Sequence, residues 1–172
     1  MFNTRKRYIM DVLAKQVNDL LKNQYELGFQ YDEEKAEFYF SIDMNHVCLD
    51  VRIICREADK QVLMFAYVPI KIQESQYSAV LRLINKIQMD NFDSVSLFIN
   101  ENCNQLMSQS ALNVGADFRI DEEVFRFAFY PLVSALDDHF IEFIRIISAG
   151  DEEQVPDLDL SELLSLSEQN DP

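Results

Sequence analysis

From residue 4 to 25 apolar side chains recur every three or four positions. Ile9, Val12, Leu13, Val17, Leu20 and Leu21 hold these steps, with Lys, Asp and Asn between them. That is the period of a helix with one buried face. Thr4 suits its N-cap and Gly28 its end. After the polar turn "YDEEK" the period falls to two. Phe38, Phe40 and Ile42 alternate with polar neighbours, and so do Val47, Leu49, Val51, Ile53 and Cys55. His46, Cys48, Asp50, Arg52 and Arg56 fall on the opposite side of that second strand, the wet face of an antiparallel pair. "QVLMFAYVPI" is apolar at every parity, as a central strand would be. The links at 44–45 and 57–60 are hairpin length, so residues 36–70 read as a three-strand meander.

Helical spacing returns over 74–90 through Tyr77, Val80, Leu81, Ile84 and Ile87. Strands follow at 94–100 and 105–113; Leu106, Ser108 and Ser110 of the second oppose Met107, Gln109 and Ala111. Asp121 then caps a long helix with Glu122 and Glu123 in its first turn. Its apolar side is Phe125, Phe129, Val133, Leu136, Phe140, Phe143, Ile144 and Ile147. Pro131 is expected to kink or split it near Tyr130. The order α-β-β-β-α-β-β-α groups its strands, which predicts an α+β fold, an antiparallel sheet with helices packed on it.

This order, the 172-residue length and the acidic balance resemble the YbjN family, whose fold is similar to that of type III secretion chaperones. The likeness rests on the first helix ending near Gly28, the meander, the "LRLINKIQ" helix, the strand pair after it and the helix entered through "RIDEEVF". It spans most of residues 4–149. No catalytic residue comes with it. It implies a protein-binding or regulatory domain, often dimeric.

Composition narrows the classes further. A chain of 172 residues fits one domain, and one of this size buries about 70% of its unfolded surface without a staple. The domain is placed at 1–150. Residues 151–172 carry eight acids and no Lys or Arg, which leaves seven of the fifteen net negative charges on the rest. With Arg5-Lys6-Arg7 as the only basic cluster, nucleic acid is not an expected partner. No apolar run approaches the roughly 18 residues of a membrane span. The basic N-terminus runs into a charged stretch rather than a signal peptide's apolar core. Three cysteines, 48, 55 and 103, have no CxxC spacing, which suits a reducing compartment. The expected location is the cytoplasm.

Candidate chemistry is sparse. His46, Cys48 and Asp50 at i, i+2 and i+4 would converge on a metal if they shared one strand face, but zinc calls for a fuller ligand set. The alternative use of that face is cross-strand pairing by Asp50, Arg52 and Arg56. Cys48 and Cys55, seven residues apart, point to opposite faces, and Cys103 has only Glu101 nearby to shape its thiol. Asp137, Asp138, His139 and Glu142 hold the groups for acid-base work, yet on this helix they read as its solvated edge. Two functions from different classes follow. One is a non-enzymatic protein-interaction domain, chaperone-like or regulatory, without catalytic, cofactor or metal residues. The other is a small metal-binding protein or enzyme using His46, Cys48 and Asp50.

Interaction residues are read from surplus apolar positions. Phe127 lies about 200° from Phe125 on an ideal helix. With Tyr130 it marks the expected face of a homodimer. In the tail, Leu160, Leu163 and Leu164 form a ridge that would dock if "DLDLSELLSL" folded on a groove. Otherwise the tail is a solubilising extension.

Overall fold

A computed structural model describes residues 11–90 and 95–149. Six strands run in chain order: β1 (Gln30–Asp32), β2 (Glu37–Asp43), β3 (Cys48–Arg56), β4 (Gln61–Lys71), β5 (Val95–Asn100) and β6 (Gln105–Asn113). They form one antiparallel sheet in the order β1-β2-β3-β4-β6-β5. The helices are α1 (Val12–Asn23), α2 (Tyr77–Asp90, preceded by a 3₁₀ turn at Glu74–Gln76), α3 (Glu122–Asp138) and α4 (Phe140–Ala149). The fold is α+β, as the grouped strands predict.

All four helices lie on one face of the sheet. Leu13, Ala14, Val17 and Leu21 of α1 and Phe125, Phe129, Leu132 and Leu136 of α3 are buried there. They share a core with Phe38, Leu49, Val51, Ile53, Val62, Met64, Leu106 and Leu112 from the strands. The two buried serines of β6, Ser108 and Ser110, keep that strand slim beneath α3, and the Ser108 hydroxyl donates to the Leu132 carbonyl at 2.6 Å. β4 is central, as its apolar parity predicts. Exposed Pro69, which cannot donate to a ladder, sits in the register irregularity between Tyr67 and Lys71.

Four expectations need correction. The meander has a further strand, β1, three residues long and too short to show a period. The first helix begins at Val12, with extended Asp11 rather than Thr4 at its N-cap, and ends at Asn23, not near Gly28, because Glu26 takes the left-handed conformation (φ 51°) and Leu27 N–H turns back to the Leu21 carbonyl. The final helix is continuous through Pro131 and breaks at His139. Proline removes the bond to the carbonyl of Phe127, four residues back; Phe127 lies on the exposed side, where water can satisfy that oxygen. Leu81, expected on the stripe of α2, stays 44% exposed at its edge. Thr4, Arg5-Lys6-Arg7, the boundary at 150 and the tail leucines 160, 163 and 164 lie outside the described residues.

Candidate protein-binding surface

The other face of the sheet carries no helix among the described residues. Its positions fall in rows set by the strand register. One row runs Gln30, Tyr39, Arg52, Phe65, Gln109, Ser96; the next runs Ser41, Asp50, Tyr67, Met107, Phe98. Tyr39, Phe65, Tyr67 and Phe98 are half-buried by their neighbours alone. Tyr and Arg in such a setting are the residue types that carry most energy at protein interfaces.

Two charges of this face, Arg52 and Glu37, are paired within it. Arg52 grips Glu37 with both forks, Nη2 to Oε1 at 2.6 Å and Nε to Oε2 at 3.1 Å. The guanidinium also lies 5.7 Å from the centre of the Tyr39 ring, and the Tyr39 hydroxyl donates to Glu37. Burial opposes ionisation of Glu37, but the Arg52 and Tyr39 hydrogen bonds outweigh it and hold the carboxyl below its ordinary value. Asp50 accepts from the Ser41 hydroxyl at 2.7 Å. Of the expected cross-strand pairing, Asp50 and Arg52 have partners, while Arg56 has none among the described residues; Arg52 is held by Glu37 and about a third exposed. A shallow cleft of about 790 Å³ opens above these groups, lined by Gly28, Gln30, Tyr39, Ser41, Asp50 and Tyr67 among others.

His46 is not on this face. It lies in the turn before β3, its Nδ1 3.5 Å from the Asp137 carboxylate, while Cys48 and Asp50 face outward from the strand. The expected convergence of the three fails because the strand begins only at Cys48. No group of three or more His, Cys, Asp or Glu side chains able to share an ion occurs among the described residues.

Asp137 corrects a second expectation. It is 1% exposed rather than a solvated edge, and it accepts from the backbone N–H of His46 (2.7 Å) and Asn45 (3.3 Å). Burial raises its carboxyl, but those N–H groups and the His46 imidazole pull it below the ordinary value. This carboxylate fastens the end of α3 to the β2–β3 turn, which is structural work. Asp138 is exposed, and His139 stands beside Glu142 at 3.7 Å. Cys55 is buried with its thiol pushed up to about 12 by burial and by the charges of Asp11 and Glu57, whereas Cys48 is exposed.

On the outer side of α3, Val124, Phe127 and Tyr130 are 47%, 67% and 64% exposed at successive three-residue steps. The sequence pointed to Phe127 and Tyr130. It offered no signal for the Tyr39–Arg52–Phe65–Tyr67 cluster, because these residues come from three strands and meet only through register.

No family model matches the chain, and no curated protein does. Solved structures with this fold do. The chain is similar to YbjN of E. coli, with a TM-score of 0.55 at 13% identity over 78% of this chain and 93% of that one. It is similar to a chain of the HopA1–SchA chaperone–effector complex, with a TM-score of 0.53 at 11% identity over 74% and 92%. A chain of the ExsC–ExsE complex gives 0.48 at 16% identity over 78% and 96%. The chain has the YbjN-like, secretion-chaperone-like fold.

Proposed function

We propose that this chain is a non-enzymatic protein-interaction domain, chaperone-like or regulatory, that binds a segment of another protein on the open face of its sheet. The observation that carries the reading is the one-sided sheet. Six strands are roofed by helices on one face, while the other, among the described residues, carries no helix and presents Arg52, held by Glu37, among the half-buried Tyr39, Phe65, Tyr67 and Phe98. Likeness to a chain of a chaperone–effector complex supports it. Three free cysteines and a net charge of −15 suit a cytoplasmic protein that avoids nucleic acid. No helix among the described residues is long and apolar enough to cross a membrane.

The test is affinity capture from native extract with wild type, with Phe65→Ser/Phe98→Ser, and with Phe127→Ser. The reading expects a captured protein that the sheet-face pair loses and the helix variant keeps. Capture insensitive to the sheet-face pair removes it.

A second reading concerns self-association. The Val124, Phe127, Tyr130 stripe supports a two-fold dimer through α3. Light scattering at tens of micromolar (order of magnitude for a moderate dimer) should show a dimer that Phe127→Asp converts to monomer. A monomeric wild type rejects it.

A further inference from the structure

The outer side of α2 is basic and partly apolar in a chain of net charge −15. Leu81, Asn85 and Met89 form one row at four-residue steps, and Arg82 and Lys86 form the row beside it. Leu81 is 44% exposed and Met89 77%; both bases are exposed as well. Among the described residues neither base has an ion-pair partner. Arg82 reaches only the Ser78 hydroxyl, at 3.4 Å.

α4 brings the chain to this same helix. It packs against α2, and its last turn is fastened there. Buried Gln76, just before α2, donates through Nε2 to the Ile147 carbonyl at 2.6 Å, while its Oε1 accepts from the Gln73 N–H at 2.9 Å. The chain after Ala149 therefore starts beside the N-terminal end of α2. The seven residues 150–156 can span up to about 23–25 Å. Leu81 and Met89 stand roughly 7 and 20 Å along the helix axis from Gln76. Residues 157–166 can thus reach the whole face.

Charge and spacing select the occupant. Residues 151–172 hold eight acids and no base. On a helix, Leu160, Leu163 and Leu164 form one ridge, with Asp157 and Asp159 on its two flanks. We infer that "DLDLSELLSL", residues 157–166, docks on the outer face of α2 in its own chain. Its leucines lie against Leu81 and Met89, and its acids face Arg82 and Lys86. A segment this short is marginal as a helix in water, so the contact with α2 is what orders it. Tethering gives it a local concentration of about the millimolar range, which makes a small contact sufficient. The site is on the helix side, away from the open face of the sheet. The inference therefore goes beyond the proposed function and does not depend on it.

The full chain serves for the test. Carbodiimide, which joins amines to carboxylates, is applied to a mixture of light and isotope-labelled chains, and the products are read by mass spectrometry. Amide exchange is followed at 157–166. Lys86 should link to Asp157, Asp159 or Glu162 within one chain, at a yield independent of protein concentration, and 157–166 should be protected. Arg82→Glu/Lys86→Glu should lower that protection about tenfold. Leu163→Ser/Leu164→Ser, outside every described element, should do the same. Lys15→Glu/Lys22→Glu, an equal charge change on exposed bases of α1, should leave it unchanged. Links between light and labelled chains would move the contact to a second copy and overturn the inference. So would absence of the within-chain link, unprotected 157–166, protection that survives Arg82→Glu/Lys86→Glu, or equal loss in both charge variants.

Discussion

The two faces of the sheet are built from alternate residues of the same strands, yet they solve burial differently. On the helix side Leu49, Val51, Ile53, Val62, Met64 and Ala66 are all buried, and side chains from α1 and α3 fill the spaces between them. On the open side their neighbours are Asp50, Arg52, Ile54, Leu63, Phe65 and Tyr67. There the polar groups pair with one another, and the aromatics shelter each other in part. The helix side spends its side chains on stability. Among the described residues the open side has no second layer, yet Leu63 and Met107 on it are buried.

Truncation should expose the difference most. Phe38, fully buried between Phe29 and Tyr31, has ring centroids at 5.2 and 4.5 Å from them. Phe38→Ala should cost about 3–5 kcal/mol in denaturant unfolding. A loss below about 1 kcal/mol would mean the helix side is not the tighter one.

Asp137→Asn comes next, at about 2–3 kcal/mol, since it removes the charge from two backbone N–H bonds in a buried site. Its sign with pH is fixed. A carboxyl held below its ordinary value of 3.8 stabilises fully above that value and ceases to as pH falls through the folded one. Wild type should therefore lose its advantage over the variant only below about pH 4. A constant difference in melting temperature down to pH 2 would contradict this.

On the open side Arg52→Leu should cost about 2 kcal/mol. It strands the buried Glu37 carboxylate, and the figure is reduced because Arg52 is 36% exposed. Adding Glu37→Leu should recover part of the loss, as removing both charges of a buried pair does. A double variant less stable than the sum of the singles would show that the pair does more than neutralise itself.

The smallest effect should be a gain. Ala36 holds φ 53° at the β1–β2 turn, a conformation glycine adopts freely. Ala36→Gly should add about 0.5–1 kcal/mol, the left-handed penalty less glycine's entropy cost. Destabilisation would mean that the Ala36 methyl packs usefully.

Much of the fold was legible because strand and helix periods are local. Residues 105–113 and 61–70 announced their strands, and Asp121 its helix, whose Glu123 N–H it caps at 3.0 Å. Cys48 and Cys55 separated to opposite faces from parity alone. What sequence could not supply depended on neighbours distant in the chain. Whether Pro131 breaks a helix is decided by which side of α3 faces water. The burial of Asp137 is decided by a turn 91 residues away, whose N–H groups need an acceptor. That β2 has an outer strand only from Glu37 to Tyr39 is decided by where β1 begins, at Gln30. Alternation tells a side chain which face it takes; only tertiary packing decides which face receives a roof, because that depends on where the helices find apolar area to cover.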